Sequence, residues 1–499
     1  MKMNKIYKSL GLLLALSLFS SCYKDHSVNG DHPLAVVKVT EPIASVQTAA
    51  FGEVTVIKSP AYTITTGASV TPSYEWIVDG VVVSTEKDLS YSPTSYGKHD
   101  ARLRMYTPDG SYFYRFTIDV PYRYVDGLYV LASNEGKTIL SYLPGGEKTD
   151  AFDLDAFGRS NPTIDMTGDP QSMLFYRYVP GAGASRSYLG IALGLPTRYY
   201  RVSADSLKVL SPRISFTNPV DFSHASGNQA TVREYFISGA NVWEMERSAN
   251  VPAKKHDKYL SPVAPGYSLA SAIVNWRALT GTRISEGMAF FDNAGSNLLY
   301  MTLGSRVTVK KVRTFAASAF PGGAPEETNP FEGMTLIDMK SAGEGNYTYN
   351  YTLLLLKRNS DSKYFVARLT AGDFTQSQSV DGATVSMVEF TEGTPTHLMP
   401  NLGGTAALVA TADKVYFYNM ANATATTHPA WISLPAGQTI ASMALTSDNR
   451  LFIGANGTGS GLVGSIYSYN VAGITPVLLK SEEGITGKIK QIVYRQFNN

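Results

Sequence analysis

The chain of 499 residues is poor in cysteine, histidine and charge, and each shortage excludes a class of protein. Its one cysteine excludes an intramolecular disulfide framework and a cysteine-rich zinc site. Its seven histidines show no H-E-x-x-H or other paired metal spacing. Removing three lysines of an expected leader (Lys2, Lys5, Lys8) from the 43 basic residues leaves 40 against 41 acidic ones. A chain so close to neutral has no electrostatic footprint for nucleic acid, and no nucleic-acid partner is predicted.

Glycine, proline and tyrosine are plentiful instead. The chain contains 43 glycines, 25 prolines and 31 tyrosines, and 44% of its residues are hydrophobic. This mixture is typical of many short strands joined by turns and leaves ample material for a packed core. The composition predicts an all-β protein, and the length allows two or three domains.

The first residues predict a secretory leader. Met1–Lys8 supplies three lysines and no acid, and the apolar run LGLLLALSLF follows from Leu10 to Phe19. That run is shorter than the roughly 20 residues that a membrane-spanning helix needs. Phe19-Ser20-Ser21-Cys22 resembles the lipobox of bacterial lipoproteins, which implies a signal peptide over 1–21 and acyl chains on Cys22. Residues 22–33 are polar and are predicted to be a lipidated tether.

Residues 34–122 show period-two alternation. Tyr112, Tyr114, Phe116, Ile118 and Val120 alternate with more polar residues, as half-buried strands do. Upstream, the segment YEWIVDGVVV places an Asp-Gly turn between two strands and Trp76 on an inward face. About 90 residues of short strands around a core tryptophan predict an immunoglobulin-like β-sandwich.

Residues 123–499 carry a repeating pattern of hydrophobic strand, polar turn and tyrosine-rich strand. Leu140 and Tyr467 mark the first and last repeats, and six steps between them give about 55 residues a step, near the length of a kelch blade. Strand-rich repeats of this period predict a β-propeller of about seven blades, with six and eight as alternatives. The hairpins are Leu128–Leu143, Met173–Val202, Glu234–Glu246, Gly287–Leu303, Tyr351–Leu369, Ala406–Asn419 and Leu451–Val471.

Two segments add detail to this propeller. The C-terminal run from Lys488 to Tyr494 reads as a strand that completes the blade begun near Leu128, which would remove an exposed sheet edge. Leu269, Ile273 and Trp276 have helical spacing, and their segment is expected to be a short helix or a loop between blades.

The sequence gives no support to catalysis. Gly459–Gly464 matches G-x-G-x-x-G but leads directly into a strand, so it is interpreted as a hairpin turn. Asp153, Asp155 and Asp292 lack the spacing of a calcium loop and are interpreted as turn formers. We therefore predict no catalytic residue, no metal and no cofactor, although the separation of a carboxylate pair is a three-dimensional quantity that no sequence pattern reveals.

Aromatic residues expected on loops are the candidates for ligand binding. Trp276 stands beside an arginine, Trp431 lies in HPAWISLP, and Tyr199 and Tyr200 precede another arginine. Such rings stack on sugars or peptide side chains and are common anchors at interfaces. The alternative is that they pack between blades.

The whole arrangement resembles the PKD-like family of lipoproteins. The leader ending in FSSC, the YEWIVDG hairpin, YGKHDARLRMYTPDGSYFYRFTIDVPY, YVDGLYVLASNEGKTILSYL, MAFFDNAGSNLLYM and DKVYFYNM carry the resemblance. It implies a cell-surface lipoprotein of a Gram-negative outer membrane, associated with a Sus-type TonB-dependent nutrient importer.

Three hypotheses about function follow. The leading one is a non-catalytic surface protein that binds oligosaccharide or peptide near an importer. The second is a polysaccharide hydrolase or lyase with its active site on the propeller face. The third is a propeller that docks onto the importer without touching cargo. A large apolar face would favour docking, and three convergent carboxylates would favour an enzyme.

Overall fold

The structure is a computed structural model, and its chain divides into two compact units between Tyr122 and Arg123. No helix among the described residues is both long and apolar enough to cross a membrane. The leader and tether, including Cys22, lie outside the described residues. The structure describes residues 34–65, 70–145, 152–178, 186–194, 198–210, 214–215, 222–227, 233–238, 241–246, 254–255, 268–280, 283–302, 309–316, 326–342, 351–370, 379–380, 384–401, 406–420 and 428–496.

Within residues 34–65 and 70–122, the regular structure of the N-terminal unit consists of strands. Five of them form one sheet in the order β2-β9-β8-β5-β6, β1 pairs with β4, and β3 pairs with β7. The strands are β1 (Val37–Glu41), β2 (Val46–Thr48), β3 (Thr55–Ile57), β4 (Ala61–Ile64), β5 (Ser73–Val78), β6 (Val81–Ser84), β7 (Leu89–Tyr91), β8 (Gly97–Thr107) and β9 (Gly110–Val120).

One apolar core holds this unit together, and its members follow the predicted alternation. Leu103 and Phe116 are buried on the long β8–β9 hairpin. Trp76 is fully buried, and its ring meets that of Phe116 edge-on at 6.1 Å. Its indole N–H donates to the carbonyl of Glu86 at 2.9 Å, so the only polar atom of the ring is satisfied inside the core. The prediction that Trp76 is a core residue is confirmed.

The C-terminal unit is also built almost wholly from strands, with one short helix, α1 (Ala156–Ser160), among its described residues. The strands are β10 (Gly127–Asn134), β11 (Lys137–Pro144), β12 (Asp169–Tyr178), β13 (Arg186–Gly194), β14 (Arg198–Ser203), β15 (Ile214–Ser215), β16 (Phe222–Gly227), β17 (Arg233–Ser238), β18 (Asn241–Glu246), β19 (Lys254–Lys255), β20 (Leu269–Thr280), β21 (Arg283–Asp292), β22 (Asn297–Thr302), β23 (Val309–Val312), β24 (Thr314–Ala316), β25 (Glu326–Thr328), β26 (Met334–Ala342), β27 (Tyr351–Arg358), β28 (Tyr364–Thr370), β29 (Ser379–Val380), β30 (Thr384–Phe390), β31 (His397–Pro400), β32 (Ala406–Ala410), β33 (Lys414–Asn419), β34 (Ile432–Ser433), β35 (Thr439–Leu445), β36 (Arg450–Asn456), β37 (Gly464–Asn470), β38 (Val477–Thr486) and β39 (Lys488–Arg495).

Each predicted hairpin lies in a sheet of its own. The sheets are β11-β10-β39, β12-β13-β14-β15, β16-β17-β18-β19, β20-β21-β22-β23-β29, β26-β27-β28-β30, β31-β32-β33-β34 and β35-β36-β37-β38, with β24 and β25 forming a separate pair. Strand alternation and turn residues are local signals, which is why the hairpins could be predicted from the sequence.

The sheets follow one another in a closed ring. One edge strand of each sheet contacts that of the next in the order β39, β12, β16, β20, β26, β31 and β35, and β35 contacts β39 again. We call these seven the inner strands. The C-terminal strand β39 pairs antiparallel with β10, from Gly127 opposite Arg495 to Ser133 opposite Lys488, as the sequence predicted. Small sheets in such a ring are the arrangement of a β-propeller-type fold.

Side chains on inner strands hold neighbouring sheets together. In three junctions, a residue beside a β-bulge accepts a hydrogen bond from a backbone N–H of the next inner strand. The bonds run from Leu398 N to Asp338 Oδ2 (3.0 Å), from Ile492 N to Ser442 Oγ (3.1 Å) and from Met173 N to Gln491 Oε1 (2.7 Å).

The expected helix or loop around Leu269 and Trp276 is a strand, and that expectation was wrong. The segment is β20, which pairs with β21 from Ile273 opposite Phe290 onward. Ala270, Ala272 and Val274 are buried, so small apolar residues at period two set the conformation and override the helical spacing of the larger ones.

Candidate functional site

Two of the four predicted ligand-binding residues are buried. Tyr199 and Tyr200 lie on strand β14, each 1% exposed, and not on a loop as expected. The hydroxyl of Tyr199 occupies the space beside Gly190, where an added Cβ would lie 2.2 Å from it. The ring of Tyr200 packs edge-on against Phe157 at 5.7 Å. Both rings therefore pack within the fold, which leaves them no free face on which a sugar could stack.

The two candidate tryptophans, Trp276 and Trp431, lie at different places in the fold. Trp276 lies in β20 opposite Gly287, within a strand and not in the expected inter-blade segment, and its side chain lies outside the described part of the structure. Trp431 is partly exposed, just before β34. Of the four candidates, Trp431 is the one whose ring the structure describes at a surface.

Two hydrogen bonds fix Trp431 in place. Its backbone N–H donates to the carbonyl of Val415 at 2.8 Å, which continues the β33–β34 pairing. Its indole N–H donates to the carbonyl of Ile474 at 2.7 Å, in the turn between β37 and β38 of the next sheet. The ring also contacts Phe417, with centroids 5.4 Å apart. Trp431 thus joins the outer edges of two neighbouring sheets.

Exposed apolar side chains follow this junction along the chain. Ile474 is 96% exposed, and three consecutive residues of β38, the outermost strand of its sheet, are about half exposed. Charged residues begin only at Lys480, which pairs with Glu482 at 3.4 Å. We call this surface the edge patch; its members are Phe417, Trp431, Ile474, Val477, Leu478 and Leu479.

A partly buried polar contact anchors the segment that leads to Trp431. Glu392 accepts hydrogen bonds from the hydroxyl of Tyr418 and from the backbone N–H of His428, the latter at 2.9 Å. Burial alone would raise the pKa of Glu392, but these hydrogen bonds lower it below its usual value. The carboxylate is therefore charged at neutral pH and holds His428, three residues before Trp431.

A second surface feature is a cleft of about 520 Å³ beside the sheet that contains β14, with a lining that is more apolar than polar. We call it the β14 cleft. Arg198 Nη1 donates to the carbonyl of Thr167 at 3.2 Å, and the hydroxyl of Tyr200 donates to the carbonyl of Asp165 at 3.3 Å. Its lining residues carry hydroxyl, carboxylate and guanidinium groups beside apolar side chains, a mixture that suits a ligand with both polar and apolar faces, such as a sugar. The lining residues are Thr163, Ile164, Asp165, Thr167, Arg198, Tyr200 and Val209.

The acidic motifs act as structural elements. Asp292 accepts hydrogen bonds from the backbone N–H groups of Ser268 (2.9 Å), Ala294 (3.1 Å) and Gly295 (3.0 Å), which makes it a turn former as predicted. Asp155 accepts the N–H of Gly158 at 2.9 Å and caps α1. Within the described ranges, no group of three or more histidine, cysteine, aspartate or glutamate side chains is arranged to hold a metal ion.

Asp153 and the glycine-rich loop also have structural explanations. Asp153 is buried and pairs with Arg159, whose Nε lies 3.0 Å from Oδ2. Gly459–Gly464 joins β36 to β37 without an intervening helix, and Gly459 and Gly461 have positive φ angles of 124° and 84°. The loop is a hairpin turn, as the sequence predicted, and offers no helix N-terminus to a pyrophosphate.

The chain is similar to solved structures at low sequence identity. No family model and no curated protein matches the chain. A quinonprotein alcohol dehydrogenase-like protein from Bacteroides thetaiotaomicron is similar over 92% of this chain and 99% of its own, with 12% identity and a TM-score of 0.45. A functionally unknown protein from Desulfotomaculum acetoxidans covers 72% of this chain and 98% of its own, with 12% identity and a TM-score of 0.43. At such low identities and TM-scores, these similarities support no conclusion about function.

Proposed function

We propose that this chain is a lipid-anchored protein of the outer-membrane surface that docks onto a TonB-dependent nutrient importer. In this proposal Cys22 carries the lipid, and the N-terminal unit is a PKD-like sandwich that acts as a spacer. The seven sheets that carry the inner strands are the blades of one propeller. The leader sequence and the closed ring of inner strands support these assignments.

The edge patch is the observation that carries the docking role. Apolar side chains that are exposed together, and not scattered singly, mark protein interaction sites. The two hydrogen bonds of Trp431 hold its ring before any partner arrives, which lowers the entropic cost of binding. A fixed aromatic ring among aliphatic side chains is a typical interface anchor. The partner should therefore present an apolar protein surface.

Binding of an oligosaccharide is a second candidate function, and the β14 cleft is the observation that favours it. Asp165 and Arg198 could bind sugar hydroxyls, and Thr163 and Thr167 line the same cleft. A cleft of about 520 Å³ has room for a short oligosaccharide. This role uses a different surface from the edge patch.

Charge-introducing variants of the edge patch test the docking role. The full-length lipidated chain would be purified from native outer membranes in mild detergent, and the importer subunits recovered with it would be quantified. We expect Ile474→Asp and Leu478→Asp to lower importer recovery at least about tenfold, because a buried unpaired carboxylate opposes association. Ile474 is so exposed that its replacement should leave folding intact.

Val54→Asp is the matched control, since Val54 is an equally apolar residue, 68% exposed, of the N-terminal unit. It should recover the importer as the native chain does. Undiminished recovery with both edge-patch variants would contradict docking through this surface. Oligosaccharide binding that survives Ile474→Asp but is lost in Arg198→Gln would assign the second role to the cleft.

A further inference from the structure

Three arginines share the outer face of the five-stranded sheet in the N-terminal unit. Along β8 and β9 the side chains alternate between the core, where Leu103 and Phe116 are buried, and the opposite face of the sheet. Arg102 and Arg104 of β8 and Arg115 of β9 lie on that opposite face. We call these three residues the arginine face. It shares no residue with the edge patch or the β14 cleft.

The strand register brings two of these charges together. Arg102 is directly opposite Arg115 in the β8–β9 ladder. Directly opposite residues of an antiparallel pair have Cβ atoms about 5 Å apart, and like charges at such positions repel each other. Next along the face, the guanidinium of Arg104 lies 5.7 Å from the ring centre of Phe113 and 4.7 Å from that of Tyr106. Positive charge is therefore concentrated on a small part of the sheet.

The neighbouring carboxylates leave two of the arginines without an ion pair. Glu75 of β5 pairs with Arg104, whose Nη1 lies 3.2 Å from Oε2. Within the described residues, no carboxylate lies within ion-pair distance of Arg102 or Arg115, although Asp100 is only two residues before Arg102 along β8. The Nε atom of Arg102 is shielded from water and has no acceptor among the described residues. These two guanidinium groups are available to an anion from outside the chain.

Apolar side chains flank the two unpaired arginines. Ile77 of β5 is opposite Arg102, and Val82 of the edge strand β6 is opposite Ile77. Val82 is 50% exposed and Phe113 is 54% exposed. Guanidinium groups beside exposed aliphatic and aromatic side chains suit the boundary between the headgroups and the hydrocarbon of a lipid bilayer.

The chain enters the N-terminal unit at the end of the same hairpin. The N–H of Ala35 donates to Asp109 Oδ2 at 2.9 Å, and the hydroxyl of Thr107 donates to the carbonyl of Ala35 at 2.7 Å. The arginine face begins three residues before Thr107 along β8. Leu34 is twelve residues after Cys22, so the connection between them spans at most about 40 Å. A lipid on Cys22 would therefore keep the arginine face close to the bilayer.

We propose that the arginine face binds the phosphate groups of anionic membrane lipids, an inference that rests on the lipid anchor proposed at Cys22. The planar guanidinium group binds phosphate oxygens in pairs, through charge-assisted hydrogen bonds. A phosphate between Arg102 and Arg115 would also relieve their mutual repulsion. Three arginines attract an anionic surface much more weakly than several acyl chains hold a bilayer. The contact therefore orients the N-terminal unit on the membrane, and the lipid remains the anchor.

Vesicle binding by the full chain with Cys22→Ala isolates this contact, because that variant carries no acyl chain. Cosedimentation with phosphatidylcholine vesicles, with and without phosphatidylglycerol, would be measured at low ionic strength. We expect binding to the anionic vesicles alone, and its loss in 1 M salt, where charges are screened beyond about 3 Å. Adding Arg102→Gln and Arg115→Gln should lower the partition coefficient about fivefold each, as expected for a basic side chain near an anionic surface.

Two controls separate the phosphate contact from net charge and from folding. Lys488→Gln with Lys490→Gln removes the same charge from exposed positions of β39, and this variant should bind the vesicles as its Cys22→Ala parent does. Arg115→Gln should leave the urea unfolding of the N-terminal unit no less stable than in the parent, because it removes a repulsion.

The absence of binding to anionic vesicles, or equal binding by the parent and the variant without Arg102 and Arg115, would overturn the proposal. Binding of polygalacturonate without binding of vesicles would also overturn it and would assign the face to an acidic polysaccharide. These results are independent of importer docking, which is measured on the lipidated chain with variants of the edge patch. They are also independent of the lipid anchor, since the vesicle experiment uses a chain without acyl groups.

Discussion

At the scale of single residues, His99 is the clearest case of a charge fixed by its surroundings. The side chain is buried on β8, with Nδ1 2.6 Å from Asp79 Oδ2 and Nε2 3.0 Å from the carbonyl of Ser95. Both partners are acceptors, so only the doubly protonated ring satisfies both. The hydrogen bond with Asp79 raises the pKa of His99, the carbonyl of Ser95 adds to this, and burial opposes it.

This pair makes the N-terminal unit more stable in mild acid. Because the folded pKa of His99 is raised above the unfolded value of 6.5, its stabilisation is complete below that value and is lost as pH rises through the folded pKa. Urea unfolding, followed by hydrogen exchange in β8 and β9, should show greater stability at pH 5.5 than at pH 8.5. His99→Gln should cost about 1 kcal/mol at pH 5.5 and abolish the difference.

Asp79→Asn is the matched variant, since asparagine keeps the shape of aspartate and tolerates the positive φ of 48° at this turn. It should also abolish the pH difference. A pH dependence that is the same in both variants and in the native chain would contradict this assignment.

Residue-scale predictions from the sequence succeeded where the signal was local. The burial of Trp76 followed from the alternation of apolar and polar residues within one hairpin. Tyr199 and Tyr200 show where local sequence signals are insufficient. Their burial depends on Gly190 in the neighbouring strand and on Phe157 in α1. No pattern around the two tyrosines carries that information.

At the scale of elements, β39 closes the ring. Its Ile489 and Ile492 are buried, and Arg495 donates to the carbonyl of Tyr124 at 2.8 Å and to Asp205. The hydroxyl of Tyr494 donates to Asp126 Oδ1 at 2.9 Å. Burial of the Tyr494 ring, with help from Asp126, raises its pKa to about 12, so the phenol keeps this proton at neutral pH.

Truncation after Gly487 should destabilise the whole C-terminal unit. It removes two buried isoleucines, worth about 1.5–3 kcal/mol each, and exposes the edge of β10 to water. We expect a thermal unfolding midpoint lower by at least about 10 °C, with the transition of the entire unit shifted. Calorimetry would measure this unfolding midpoint.

A chain that ends at Gln496 is the matched control, because it loses C-terminal residues but keeps all of β39. It should melt as the native chain does. If the Gly487 truncation also melts at the native temperature, β39 does not close the ring.

At the scale of the whole molecule, the lipid on Cys22 is expected to be the sole covalent link to the membrane. Cys22→Ala should move the protein from the membrane fraction to the soluble fraction, because acyl chains supply about 0.8 kcal/mol for each buried CH₂ and the rest of the proposed tether is mostly polar. Fractionation and immunoblotting would measure the change. A Tyr23→Ala variant should stay with the membranes, and membrane retention of Cys22→Ala would contradict the proposed anchor.

The sequence by itself determined the all-β class, the hairpins and the strand character of the C-terminal segment. These features follow from alternation, turn residues and strand length, which act between residues close along the chain. Only the tertiary structure decided which rings are exposed and which charges meet. Trp431 becomes part of a surface because its indole reaches a carbonyl in the next sheet, and Arg495 meets Asp205 because β39 brings the C-terminal end of the chain back beside the early sheets of the ring. Burial and charge density depend on all the residues that pack around a site, and these come from distant parts of the chain.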